Sequence, residues 1–373
     1  MFVELHIIQN FAPSNLNRDD TGSPKDCDFG GVRRARISSQ CLKRAIRRSP
    51  VFAETTRVPN GVRTRWLARR LKEALVAAGK PADQAAAVAN RFTEAYVHKV
   101  EKVKDSDVNR TVVLIYVSAD EVASAVEGLL AQWDDVVADQ KGTLVAALAA
   151  DLAKRVKGRT SAPDIAMFGR MLADDPSLNL PAACQVAHAI STHRVNMEMD
   201  FYTAVDDLAE KEETGAGMMG VTGLNSACFY RYARVDLGQL LQNLDGDSDL
   251  AGRTLEAFLR ASVAAVPSGK QNSTAAYNPP SFLLAVVRPD GQGWSLANAF
   301  EKPVHAGREG GLVGRSVEAL AAYYADMQRT YGNGGTPVAL ALERGLALGD
   351  LKAAVVDSLE EWVAAVKGAV RWE

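Results

Sequence analysis

Three β-favouring segments stand far apart in this chain, and a long Ala-rich stretch with helical spacing separates the first from the other two. Residues 2–10 (FVELHIIQN) alternate well enough for a strand, 224–235 (LNSACFYRYARV) alternates around aromatics, and 281–289 (SFLLAVVRP) is apolar and β-favouring. Apolar residues then recur at helical spacing over Trp66, Leu67, Leu71, Ala74 and Leu75, from Ala85 to Tyr96, and through 119–157. This order predicts a sheet assembled from both ends of the chain, with residues 50–182 inserted as a mostly helical unit. TVVLIYVS (111–118) reads as a short strand, and LPAACQVAHAIST (180–192) as an apolar helix. Further helices are expected near 250–266, 315–331 and 350–370. The fold class is α+β.

The sharpest local feature is GGVRRARISSQCLKRAIRRS, residues 30–49, with seven Arg or Lys residues and no acid. The whole chain has a formal net charge of −2, so its cations are gathered here while the total stays near neutral. Ser38 or Ser39 suits an N-cap, and Leu42, Ala45 and Ile46 follow as the stripe of a helix that buries one face. Lys43/Arg47 and Arg44/Arg48 are i,i+4 like-charge pairs, each costing an isolated helix about 0.2–0.5 kcal/mol. A merely solvated helix would intersperse Glu. Retained repulsion favours phosphate binding over a bland charged face.

At 373 residues, 47% hydrophobic and 24% charged, the composition is that of a soluble globular protein with ample core. No apolar run approaches the ~18 residues needed to cross a bilayer, so no membrane partner is expected. MFVELHIIQNF lacks the marks of a secretory signal and reads as a first strand. Cys27, Cys41, Cys184 and Cys228 are scattered without a CxxC pair, which disfavours a zinc ribbon or a disulfide framework and makes the cytoplasm the expected compartment.

Several literal motifs fail on context. Gly215, Gly217 and Gly220 spell G-x-G-x-x-G, but AEKEET precedes them and VTGLNSACFYRY follows, so both flanks are wrong for a dinucleotide site. His188 and His193 lack the carboxylate of a zinc-binding helix, and His6, His98 and His305 are isolated. Asp206 and Asp207, near Glu198 and Asp200, suggest a metal-dependent nuclease less well than an acidic surface. No nucleophile elbow or phosphate loop is present. The expectation is a non-enzyme with no cofactor and no metal.

What recurs is positive charge beside flexible backbone. Arg18 and Lys25 lie in a polar loop, Arg33 to Arg36 lead into the basic helix, and Lys270 tips the turn PSGKQNS. Met171, Phe201 and Tyr202 sit near polar or flexible passages. Single-stranded nucleic acid is held by cations that track phosphates and by apolar side chains that stack on bases. From periodicity alone, core packing remains the better reading of those three.

NLNRDD, KDCDFGGVRRARISSQCLKRAIRRS, QVAHAISTH, DFYTAVDDL, CFYRYARVDLGQL, VPSGKQNSTAAYNP and SLANAFEKPV, in that order, resemble the CasC family. CasC is the repeated backbone subunit of the type I-E CRISPR surveillance complex, Cascade. The blocks span most of the chain; residues 50–170 match by position alone. The resemblance implies a hand-shaped fold: a palm related to the RNA-recognition motif (ferredoxin-like), an inserted helical finger domain and a thumb loop. Residues 1–49 and 183–373 would be palm, 194–223 thumb, and 50–182 fingers.

By the same resemblance, copies stack along CRISPR RNA, and each thumb displaces one nucleotide so that the guide can pair with a target DNA strand. Arg18, Lys25, Ser38, Gln40, Lys43, Arg44 and Lys270 match positions that hold the RNA backbone, with Arg34, Arg48 and Gln271 completing the expected contacts. Met171 and Tyr202 match wedges at the displaced nucleotide, and Phe201 stands beside Tyr202. Where relatives carry more lysine after AFEK, this chain has Lys302, Pro303, His305 and Arg308. The implied partners are further copies of the chain and the large, small, 5′-handle-binding and RNA-processing subunits. The alternative is a metal-dependent, RNA-cleaving backbone subunit using Asp206, Asp207 or His193, because related subunits of other CRISPR effector types cut RNA from a loop aspartate.

Overall fold

The computed structural model describes all residues except 173–175, 205–217, 309–310, 333 and 373. It divides into two units. The first comprises Met1–Phe52, Gln185–Val235 and Phe258–Arg371; the second comprises Ala53–Cys184 and Asp236–Ala257, with Trp372.

The first unit is built on one large sheet. Its strands run in the order Val355–Val356, Thr336–Ala341, Phe282–Arg288, Phe2–Ser14, Met218–Asp236, Ala189–Ser191, Val32–Ile37, Asp26–Phe29. Phe2–Ser14 and Phe282–Arg288 are antiparallel, with Glu4 opposite Val286, His6 opposite Leu284 and Ile8 opposite Phe282. Both are buried on both faces along their paired lengths, which is why they read as continuous apolar runs. On one face Ile8, Phe282, Leu284 and Val286 pack with Val317, Leu320, Ala321 and Tyr324 of the helix Val313–Tyr331. On the other, Leu5 and Ile7 meet Leu42 and Ile46 of the basic helix Ser39–Arg48.

The sheet also buries charge. The Glu4 carboxylate accepts from the Arg288 guanidinium, the Trp294 backbone N–H and the Tyr232 hydroxyl, the last at 2.9 Å. Beside them, His6 Nδ1 lies 2.9 Å from the Tyr230 hydroxyl. Burial, and secondarily the Arg288 charge, pulls the His6 imidazole down from its ordinary 6.5 to about 3. A lowered folded-state value means that below pH 6.5 the unfolded chain binds a proton that the folded chain refuses. Stability is therefore present in full above pH 6.5 and falls by about 1.4 kcal/mol per pH unit towards pH 3. Thermal melts from pH 7 to 4.5 should show this loss, and His6→Gln should flatten it; identical slopes would remove His6 as its source.

The second unit is mainly helical. Leu67–Ala77, Ala82–Val97, Ala119–Ala131, Trp133–Ala138 and Thr143–Arg155 surround a core that includes Leu71, Leu75, Phe92, Leu129, Val136 and Leu152. Two short ribbons complete it: Val62–Thr64 with Ile115–Val117, and Val100–Glu101 with Arg110–Thr111. Of TVVLIYVS, only Ile115–Val117 and the first Thr are strand, and Val112 and Leu114 are exposed.

Three expectations change. The segment 180–192 is not a helix: Ala189–Ser191 is a strand with Ile190 opposite both Arg36 and Tyr230. Its Ala-rich composition favours helix, but pairing on both edges overrides that weak preference. The stretch before the basic helix is a hairpin, Asp26–Phe29 with Val32–Ile37, turned by Gly30 and Gly31 at φ 60° and 74°. A side chain at position 30 would collide with the Glu301 carbonyl, so glycine is required there. Within 194–223, Glu198–Ala204 pairs with the start of Met218–Asp236, so that segment contains a two-stranded ribbon.

Candidate nucleic-acid interface

The basic helix is the centre of the site. Ser38 caps it, its hydroxyl accepting from the Cys41 N–H at 3.4 Å, and Leu42 and Ile46 pin its inner face. Between these anchors the four cations divide. Arg44, Arg48 and Gln40 are exposed, whereas Lys43 and Arg47 are half-buried and engaged within the protein.

Two distant loops are tied to the helix. Asn17 accepts the Ser38 N–H with its side chain at 2.8 Å and the Lys25 N–H with its carbonyl at 2.8 Å. Asp19 accepts from Thr21 and Ser23, tightening the loop that presents Arg18 at the surface. Those bonds hold the Asp19 carboxyl below its usual range, the Thr21 hydroxyl contributing most. The second loop arrives at Gly269, where an added Cβ would stand 2.5 Å from the Leu16 carbonyl oxygen. Only glycine permits this backbone contact, which brings Lys270 beside the loop that carries Arg18 and Lys25. Residues 18, 25, 44 and 270 are thus gathered on one unit by backbone contacts that spacing could not show.

His188 is a member of this surface that sequence reasoning set aside. Its Nδ1 accepts the Ser39 N–H at 3.3 Å and lies 3.4 Å from Arg36 Nη1. Desolvation first, and then the charges of Arg36 and Lys25, lowers its pKa.

Three expected contacts are internal. Arg34 is fully buried, donating to the carbonyls of Phe29, Ser191, Phe300 and Glu301 at 2.8–3.2 Å. Its guanidinium fastens the hairpin and has no face for a ligand. Gln271 is 8% exposed and donates to the carbonyls of Pro267 and Ala276, closing its own turn. Ser38, also buried, is committed to capping.

The three apolar candidates are outside any core. Phe201 is 61% exposed and Tyr202 43%, on the ribbon Glu198–Ala204, and Met171 is 83% exposed on the helical unit. Tyr202 lies opposite Gly220, whose added Cβ would fall 2.4 Å from the ring. The third glycine of the G-x-G-x-x-G string therefore makes room for an aromatic ring. Gly215 and Gly217 lie outside the described residues.

Comparison with known proteins decides the family. A family model described as CT1975-like protein matches residues 3–365. The chain belongs to that family. Two solved structures resemble this CT1975-like chain along its length. One is a chain of a CRISPR RNA-guided surveillance complex, pre-nicking, with a TM-score of 0.86 and 32% identity over 99% of this chain and 100% of that one. The other, from a CRISPR RNA-guided surveillance complex, has a TM-score of 0.78 and 28% identity over 99% and 100%. No curated protein matches. The resemblance to CasC drawn from the sequence blocks agrees with both structures and with the family.

The groups named for the cleavage alternative are placed unevenly in this CT1975-like chain. Asp206 and Asp207 lie outside the described residues. His193 Nε2 accepts the Cys228 N–H at 3.2 Å while Nδ1 donates to the Arg194 carbonyl at 2.7 Å, a neutral ring bracing backbone. Burial lowers its pKa accordingly. Among the described residues no three His, Cys, Asp or Glu side chains gather as a metal site, and no helix is long and apolar enough to cross a membrane.

Proposed function

We propose that this chain is a backbone subunit of a type I-E Cascade: it binds CRISPR RNA, has no catalysis of its own, and works as copies stacked along the guide in the cytoplasm. The observation that carries this is that Arg18, Lys25, Arg44 and Lys270 sit on segments of the sheet unit joined by the Asn17–Ser38 hydrogen bond and the close approach of Gly269 to Leu16. A guide varies in sequence, so its carrier must hold phosphate and ribose and leave base edges free; cations on fixed backbone do that. Residues 1–49 and 183–373 serve as the RNA-recognition-motif-like palm and residues 50–182 as the fingers. The ribbon with Phe201 and Tyr202 serves as the thumb, which displaces a base with Met171. The large, small, 5′-handle-binding and RNA-processing subunits complete the assembly, and the guide rather than this chain reads target DNA.

Mixing the protein with spacer-length single-stranded RNA should give a particle holding several copies per RNA by light scattering, with the RNA intact after prolonged incubation in magnesium or manganese. One copy per RNA would overturn the filament reading. Metal-dependent cleavage lost in Asp206→Ala would replace it with the nuclease alternative.

A further inference from the structure

Beside the basic helix lies a crevice of about 500 Å³ that the reading above leaves without an occupant. Arg44 and Arg48, one helical turn apart, line it together with Tyr277, and Leu16 and Val266 contribute apolar surface. No carboxylate is among the described residues that line it. Tyr277 is 69% exposed, the most exposed aromatic of the unit apart from Tyr331 at 70%.

The backbone that presents Tyr277 is strained. The turn Gln271–Thr274 is bracketed by Lys270 at φ 51° and Ala275 at φ 46°, two of only six non-glycine residues with positive φ among those described. The Tyr277 N–H donates to the Ala275 carbonyl at 2.8 Å, and the Ala275 N–H to the Gln271 carbonyl at 2.8 Å. A Gly at 275 would relieve the strain. Left-handed alanine kept in a surface turn is the kind of outlier that gathers at binding sites.

We infer that this crevice is a nucleotide subsite: Tyr277 stacks on one base of a single-stranded RNA, and Arg44 and Arg48 hold the flanking phosphates. The inference rests on the RNA-binding reading of the same face and adds to it a base contact that is indifferent to sequence, since every base offers a π-face. It also gives Arg48, already among the contacts the resemblance implies, a specific place beside one nucleotide.

The test compares oligoadenylate with an abasic ribose-phosphate chain of equal length. The wild type should prefer oligoadenylate. Tyr277→Ala should lose about tenfold in affinity for oligoadenylate and nothing for the abasic chain, as expected of one lost stack, while Tyr277→Phe should keep the preference. An unchanged thermal midpoint confirms that both variants fold. Equal oligoadenylate affinity for Tyr277→Ala and wild type would overturn the subsite while leaving the phosphate-binding face intact. Altered self-association with unaltered RNA affinity would overturn it in favour of a protein contact. Failure of the wild type to bind either polymer would overturn the RNA reading itself.

Discussion

Reversing two exposed charges, Arg18→Glu with Arg44→Glu, should weaken binding of spacer-length RNA at least about tenfold, or ~1.4 kcal/mol, at physiological salt. The two residues sit on different segments that Asn17 and Ser38 join, so on the proposed function each would meet a different stretch of phosphate. Each lost contact with a single strand should also lower the slope of log affinity against log salt by about 0.7, for a combined change of about 1.4. Both side chains are at the surface, so the thermal midpoint should hardly move. This combination separates binding from folding. A loss under threefold with an unchanged slope would remove the phosphate role from this face. Lys43→Glu is a poorer probe, because Lys43 is half-buried and engaged, and its reversal confounds affinity with stability.

That division of the helix shows where sequence reading stops. Periodicity locates Ser39–Arg48 and its stripe, because Leu42 and Ile46 fall where a 3.6-residue repeat requires. It cannot say how wide the covered face is. Strands Phe2–Ser14 and Phe282–Arg288 are legible because burial on both faces demands apolar runs. The hairpin Asp26–Phe29 with Val32–Ile37 is masked by its own charge: Arg33 pairs with Asp26, Arg34 turns inward and Arg36 donates to the Asp26 carbonyl, so its three arginines mean different things. Arg34 and Gln271 are polar in sequence and buried in structure because backbone carbonyls satisfy them, and no one-dimensional signal carries that. Tyr277 escaped for the opposite reason. Nothing in AAYNPP tells an exposed aromatic from a packed one, and only its exposure and positive-φ turn mark it.

The largest stability effect is expected from Glu121→Ala. Glu121 caps the helix Ala119–Ala131 by accepting the Ser118 N–H, and its other oxygen accepts from Arg170 Nη1 at 2.6 Å. The side chains of Arg170 and Glu121 are 1% and 4% exposed, so neither charge has water to fall back on. Deleting the carboxylate leaves the buried guanidinium, among the described residues, with the carbonyls of Leu178 and Tyr116, at a cost of about 3–5 kcal/mol. Melting of the helical unit should then fall by about 10 °C. The double substitution Glu121→Leu with Arg170→Met should recover much of that, because removing both charges removes the uncompensated one. A drop below about 2 °C in Glu121→Ala would show that the pair is solvated and not a buried anchor. The anchor also bears on Met171. Arg170 exchanges backbone hydrogen bonds with Leu180 at 3.0 and 2.8 Å, and Met171 follows it directly, so the anchor sets where that exposed side chain stands. Under the proposed wedge role of Met171, a loss of RNA affinity that remains in the recovered double variant would report the placement of Met171 and not the folding of the unit.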